Sequence, residues 1–444
     1  MIKIGFVSLG CNKNLCDTEN MLGILAERGY EIVNDPEQAD VIVVNTCGFI
    51  DSAKEESINT ILEMAEYKNQ NCRLLVAAGC MAQRYPEDIR RELPEVEVLI
   101  GTTVFDKIAD AIEDGLKGKG ITLIDGINKE VPESLPRIRT TYSHVAYLKI
   151  AEGCSNHCTY CAIPNIRGRY RSRPVESILA EAEALVADGV RELIVVAQDT
   201  TRYGEDLYGE RRIAPLLREL CRIDGIKWVR VHYSYPEAVD DELIEVIKNE
   251  EKIVKYLDIP VQHGDDEILR RMGRHTSRSQ VIDLVQRLRR EIHGVVIRTS
   301  LIAGFPGETE GQFQNLLSLI EEVRFDRTGV FAYSAEEGTP AAKLPDQLDE
   351  EEKEARRGKA MELAQEISLE RNRSLLGATL DVMVDGFEDG LFYGRSGGES
   401  LEADPVIYFG SQLEPEAGDI VKVKILDAGE YDLYGEQIDQ EGKI

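Results

Sequence analysis

The feature that most limits the fold is a rhythm of short, continuous apolar runs, each followed by a segment with helical spacing. It begins at the first residues and continues to about residue 333. A run that is apolar at every position has to be covered on both faces, as happens inside a parallel sheet with helices above and below. Strands separated by helices give such sheets through right-handed crossovers. Residues 2–9, 40–44, 74–78 and 98–100 read as strands. Residues 18–28 carry Met21, Leu22, Ile24 and Leu25 at helical spacing, 52–67 form a second helix, and 86–93 open a third at Pro86. This predicts an open parallel α/β sheet over 1–124.

A polar stretch, 125–144, has little periodicity, contains Pro132 and Pro136, and marks a boundary. The rhythm then resumes with strands at 145–151, 193–197, 228–233, 256–261, 295–302 and 329–333, and helices such as 174–187, 241–249, 280–292 and 312–323. Six βα units are too few to close an eight-stranded barrel, so the expectation is an open, partial (β/α)6 barrel over 140–372, with its site at the strands' carboxyl ends. The charged stretch 349–376 reads as a solvated helix bridging domains. From 376 to 444 the pattern changes to short alternating strands, at 380–384, 391–393, 405–409, 420–426 and 431–435, with Gly-rich turns between them. That pattern suits a small five-stranded antiparallel β-barrel.

A chain of 444 residues has room for two or three domains. Its formal charge is −29, from 52 basic and 81 acidic residues. This argues against a broad nucleic-acid-binding surface, which is normally basic, and suits a basic protein partner or plain solubility. Residues 377–444 alone hold sixteen Asp/Glu and four Lys/Arg. No apolar stretch approaches membrane-spanning length, and residues 1–11 read as a first strand rather than a lipoprotein signal. Nine cysteines in such a chain read as metal or redox ligands rather than disulfides, with a cytoplasmic location expected.

Two cysteine constellations stand out. Cys154, Cys158 and Cys161 lie in Ala151-Glu-Gly-Cys-Ser-Asn-His-Cys-Thr-Tyr-Cys161, spaced CxxxCxxC. Three close thiolates can hold three irons of a [4Fe–4S] cube and leave the fourth open, whereas a structural zinc ion usually takes four protein ligands. His157 is a poor fourth ligand, because a His beside a Cys ligand on a tight loop tends to point away. Cys11, Cys47 and Cys80 each follow a strand directly, about one βα unit apart, so an open sheet brings all three to its carboxyl edge. Three unrelated buried thiols are the competing reading, and the small or polar residues beside each Cys favour the shared edge. Cys16, Cys72 and Cys221 match no motif and read as structural.

The CxxxCxxC run resembles the radical S-adenosylmethionine (SAM) signature. The whole chain resembles the radical-SAM methylthiotransferases, with scattered N-terminal cysteines, a CxxxCxxC unit and a C-terminal barrel of the type called TRAM. Four stretches carry the finer likeness: Ser8-Leu-Gly-Cys-Asn-Lys-Asn14, Asn45-Thr-Cys-Gly-Phe-Ile-Asp-Ser-Ala-Lys-Glu-Glu-Ser57, Ala151-Glu-Gly-Cys154 and Ile163-Pro-Asn-Ile-Arg-Gly168. They are most similar to the branch that adds a methylthio group at the β-carbon of an aspartate in small-subunit ribosomal protein twelve. The tRNA-modifying relatives typically depart from Gly48-Phe-Ile-Asp-Ser-Ala53. The resemblance implies one [4Fe–4S] cluster on Cys154, Cys158 and Cys161, where SAM yields the 5′-deoxyadenosyl radical. It implies a second on Cys11, Cys47 and Cys80, whose open iron binds the sulfur, and a second SAM as methyl donor. Homolysis suits an aspartate β C–H bond, which is too weakly acidic for a general base. The rivals are the same chemistry on a tRNA adenosine and a non-catalytic iron–sulfur electron carrier. An acidic barrel favours a basic ribosomal protein over tRNA.

Other strand ends carry weaker motifs. Gln198 and Asp199 open Gln198-Asp-Thr-Thr-Arg-Tyr-Gly204, and Gln262 lies in Ile259-Pro-Val-Gln-His-Gly264. They read as SAM or substrate contacts, or as ordinary polar loop residues. Gly304 and Gly307, within 300–309, either let SAM approach the backbone or simply make a tight turn. Arg167, Arg169, Arg171 and Arg173 alternate beyond the cysteine loop, either meeting SAM, a cluster or a substrate carboxylate, or lining a solvated strand.

Overall fold

A computed structural model describes residues 1–130, 132–401 and 403–438. The expected end of the last unit, at 439–444, lies outside the described residues.

β1 (Lys3–Ser8), β2 (Glu31–Val33), β3 (Val41–Thr46), β4 (Leu74–Gly79), β5 (Val98–Ile100) and β6 (Ile121–Leu123) form one parallel sheet in the order β2-β1-β3-β4-β5-β6. Every position of β3 and β4 is buried. Their side chains alternate between two cores, with Val41, Val43, Leu74 and Val76 on one face and Ile42, Val44, Leu75 and Ala77 on the other. Covering on both faces is why these strands are apolar without a break. β2 and β6 are short, partly exposed edge strands with no apolar run, so the sequence carries no strand signal for them. The first helix spans Asn12–Glu27 rather than 18–28, because its opening turns are buried through polar Lys13, Asn14 and Asp17. The strand order reverses between β1 and β3, and open α/β sheets bind ligands at that switch point.

After β7 (Val145–Lys149), two short strands, β8 (Ala151–Glu152) and β9 (Arg171–Ser172), pair antiparallel on either side of the cysteine loop. β10 (Glu192–Val196), β11 (Trp228–Val231), β12 (Ile253–Asp258), β13 (Val296–Ala303) and β14 (Arg327–Ala332) continue from β7 in sequential parallel order. β7 and β14 are the two edges, so the partial barrel is open as expected. The connector is fastened down at Pro136 and Arg137. Arg137 bridges Glu19 at 2.8 Å and Glu181 at 2.6 Å, and Pro136 packs so closely on Gly23 that a Cβ there would stand 2.4 Å from it.

The charged helix Glu350–Ser374 differs from the solvated bridge its composition suggests. Ala360 and Ile367 join the large core of the central unit, and Lys353 and Arg356 are buried along their stems. Long basic side chains cover apolar surface here, which hides the packed face from a hydrophobicity pattern.

β15 (Thr379–Glu388), β16 (Leu391–Ser396), β17 (Ile407–Gly410), β18 (Ile420–Ala428) and β19 (Leu433–Gln437) close into a barrel in the order β15-β16-β17-β19-β18. An odd number of strands cannot alternate direction all the way round. One neighbouring pair, β17 and β19, therefore runs parallel and the rest antiparallel. The β16–β17 connection enters the concave face of the central sheet, where Leu401 packs with Val145, Tyr147, Ile194 and Val196. Beside it, Glu192 takes Arg230 at 2.8 Å and Arg395 at 2.6 Å. The barrel thus fills the amino-terminal side of the opening and leaves the carboxyl edge to the N-terminal unit. Among the described residues, no helix is long and apolar enough to cross a membrane.

Candidate active site

Each N-terminal cysteine is set by the end of its strand. Cys11 precedes the helix Asn12–Glu27 and accepts its first-turn bond from the Leu15 N–H at 3.0 Å. Cys80 starts the helix Cys80–Arg84, directly after Gly79, whose φ of +89° no other residue adopts easily. Cys47 is clamped by the buried Ser57 hydroxyl, which accepts from its N–H at 3.0 Å and donates to its carbonyl at 2.9 Å. The three loops touch. A Cβ on Gly10 would stand 3.0 Å from Cys47 Sγ, and one on Gly48 would stand 2.9 Å from Met81 Cα.

The central triplet is built in the same way. The Cys154 N–H donates to the Gly168 carbonyl at 3.0 Å, and Thr159 ties the loop to the Met272 carbonyl at 2.9 Å. Cys158 Sγ lies 3.7 Å from the Tyr235 hydroxyl and 3.9 Å from Arg274, which stacks over the Tyr235 ring. His157 is exposed and left-handed at φ +52°. All nine cysteines are free. Among the described residues, no set of three His, Cys, Asp or Glu side chains converges tightly enough for a single metal ion. Thiolates that bind different irons of a cube stand further apart than ligands of one ion, and two sets of three thiols are a donor chemistry compatible with such cubes.

Burial dominates the thiols and pushes Cys80 up to about 12 and Cys154 to about 11. Burial also raises Cys11, but Lys13, Arg167 and the N–H groups of Asn14 and Lys13 outweigh it and leave Cys11 below its ordinary value. Iron binding to the buried thiols must expel their protons.

The triplets meet through packing and charge. Cys80 packs on Ala162 and Ile166, just beyond Cys161. Arg167 donates to Asp17 at 2.8 Å, Glu152 at 2.9 Å, Asn14 at 3.1 Å and Cys80 Sγ at 3.5 Å. Lys149 pairs with the same Asp17 and with Glu152 at 3.0 Å. Lys13 lies 3.5 Å over the Tyr233 ring, and Lys54 and Arg84 reach Glu336 at 3.0 and 2.9 Å. Of the four arginines read from the sequence, Arg167, Arg171 and Arg173 are buried and Arg169 alone faces solvent, so the solvated-strand alternative fails for three of them.

Gln198 donates to Glu152 at 3.0 Å and keeps its Oε1 buried without a partner among the described residues. Gln262 is left-handed at φ +80°, as is Tyr233 at +59°, both at strand carboxyl ends. Asp199 is occupied, accepting from Asn156 of the cysteine loop at 2.7 Å. Gly304 and Gly307 lie in a turn with filled sides: a Cβ on Gly304 would stand 2.6 Å from Lys353, and one on Gly307 3.0 Å from Arg271. Sequence reading missed Asn14, Asp17, Lys149 and Glu152. The available signals were a charged residue closing the apolar strand β7 and polar residues on one face of the helix after Cys11.

Comparison with known proteins adds the family. Residues 3–101 match "Uncharacterized protein family UPF0004", residues 148–320 the radical SAM superfamily and residues 376–438 the TRAM domain. The ribosomal protein uS12 methylthiotransferase RimO of Thermoanaerobacter sp. is 50% identical, over 98% of this chain and 100% of its own. The chain belongs to the RimO family. A second RimO, from Lachnoclostridium phytofermentans, is also 50% identical, over 98% of this chain and 99% of its own. Among solved structures, the radical SAM methyltransferase TsrM from Kitasatospora setae matches this RimO-family chain with a TM-score of 0.56, at 14% identity. It covers 88% of this chain and 76% of its own, a likeness of fold alone.

Proposed function

We propose that the chain is an aspartate methylthiotransferase that places a methylthio group on the β-carbon of an aspartate in ribosomal protein uS12, using two [4Fe–4S] clusters and SAM as both radical source and methyl donor. The packing of Cys80 against Ala162 and Ile166, just beyond Cys161, supports this reading, because it brings a member of one triplet beside the loop of the other. The names of the full-length relatives support the substrate.

Bound SAM and its cluster supply a radical able to take hydrogen from an unactivated C–H bond. The chain's residues hold and shield that chemistry. Cys154, Cys158 and Cys161 hold the radical-site cluster, and Cys11, Cys47 and Cys80 hold the cluster that handles sulfur. Gln198 and Gln262 reach SAM, Asp199 fixes the cysteine loop through Asn156, and Gly304 and Gly307 shape the turn after β13. Labour divides among units 1–124, 140–372 and 376–444. The first caps the carboxyl edge of the second and excludes water, and the third meets the basic substrate. Work in the cytoplasm keeps the thiols reduced.

The test is to incubate the anaerobically reconstituted, reduced chain and SAM with a peptide from the uS12 loop and, separately, with unmodified tRNA. Methylthio mass gain on the peptide alone is expected. Gain on tRNA alone would replace the substrate, and SAM left intact would point to an electron carrier instead.

A further inference from the structure

Arg167 is fully buried and its fork divides its work. Nη1 serves two carboxylates, Asp17 at 2.8 Å and Glu152 at 2.9 Å. Nη2 serves Asn14 at 3.1 Å and Cys80 Sγ at 3.5 Å. Among the described residues it is the only hydrogen-bond donor to that sulfur, which also packs on apolar Ala162 and Ile166 and stands close enough to Cys11 and Cys47 to feel their charge. We propose that Arg167 is a positioning residue for the N-terminal cluster: it holds Cys80 against the radical-site loop and raises the reduction potential of the cube that Cys80 ligates. This rests on the reading that Cys11, Cys47 and Cys80 hold a cluster.

The physical argument has two parts. Reduction adds one electron to the cube and makes its thiolates more negative, so an N–H···S bond and a nearby cation favour the reduced form. The site is buried, so the interaction is weakly screened. The Asp17, Glu152, Lys149 and Arg167 charges cancel as a group, which leaves the guanidinium, as the nearest member, to set the field at Cys80. The fork is also what lets one residue reach Cys80 while gripping Glu152, two positions before Cys154. A lysine keeps the charge but not the paired geometry.

The test uses the full chain with Cys154→Ala, Cys158→Ala and Cys161→Ala combined, so that only the N-terminal cluster can form. Each protein is reconstituted anaerobically, its iron counted, and its cluster titrated at an electrode with redox mediators while the reduced signal is followed by electron paramagnetic resonance. About four irons per chain are expected in the parent. Arg167→Gln should lower the midpoint potential and change the resonance line shape, and Arg167→Lys should fall between. If Arg167→Gln sheds its iron, the lysine variant provides the potential measurement. Variants that keep their iron and titrate at the parental potential would overturn the proposal. A parent that binds no iron would instead overturn the cluster reading beneath it.

Discussion

At Gly153 the backbone has φ +77°, and a Cβ would stand 2.1 Å from the Arg169 carbonyl oxygen, so β8 and β9 meet there only because the residue has no side chain. Gly153→Ala adds strain of about 1–3 kcal/mol and displaces the cysteine loop one residue before Cys154. We expect this variant to drop from about eight irons per chain to about four and to release no 5′-deoxyadenosine under reduction. Iron analysis and chromatography check this, and full iron with unchanged SAM cleavage would refute it. Cys80→Ala attacks the other triplet: it should lose the N-terminal iron yet still cleave SAM, while the methylthio product disappears. Neighbouring residues explain what the sequence hid. The cysteines carry motif or strand-end signals, so they could be read directly. The Asn14–Asp17–Lys149–Glu152–Arg167 network joins two helices and the ends of β7 and β8, with the first helix far from the rest in the chain, and no spacing rule links them.

Among elements, strands sandwiched between two cores declare themselves, whereas those that lie at an edge or work through polar stems do not. β3, β4 and β5 were legible because both faces are apolar. β2, β6 and the first turns of Asn12–Glu27 were not, because partial exposure or polar packing erased the period. The helix Glu350–Ser374 gives the sharpest test of this difference. Ile367 is 5% exposed within the central core. If the helix merely crossed solvent, Ile367→Ala would fall within the small range of surface changes. As a packed element, it should lose about 2–5 kcal/mol of stability, seen as a lower urea midpoint with an unchanged slope.

At the scale of the whole molecule, the acidic barrel divides its charge between a buried seam and an open surface. Asp385, Glu399 and Asp404 face Arg395, Arg327 and Arg298, while Asp381, Glu388, Asp389, Glu414 and Glu416 stay outside. The outer set should speed encounter with a basic protein, so association with uS12 is expected to slow steeply between low and physiological salt, measured by stopped flow. The seam answers to pH instead. Burial pushes Glu192, Asp385 and Glu399 up, but Arg395 and Arg230 on the first, His144 and Arg395 on the second, and Arg327 and Ser396 on the third hold each below its ordinary value. The folded chain therefore binds fewer protons at these sites than the unfolded chain. Their stabilisation is complete above the ordinary carboxylate range, roughly pH 4 to 4.5, and is lost as pH falls through the lower folded values. Asp404, raised by burial, works in the opposite direction and blunts the transition. The single Trp228 packs on Met383 of the barrel, so its fluorescence reports the docking directly. Its emission should hold steady down to about pH 4.5 and shift to the red below it. Arg395→Met leaves Glu192 and Asp385 buried without that partner and raises their folded values, so the same shift should begin at higher pH.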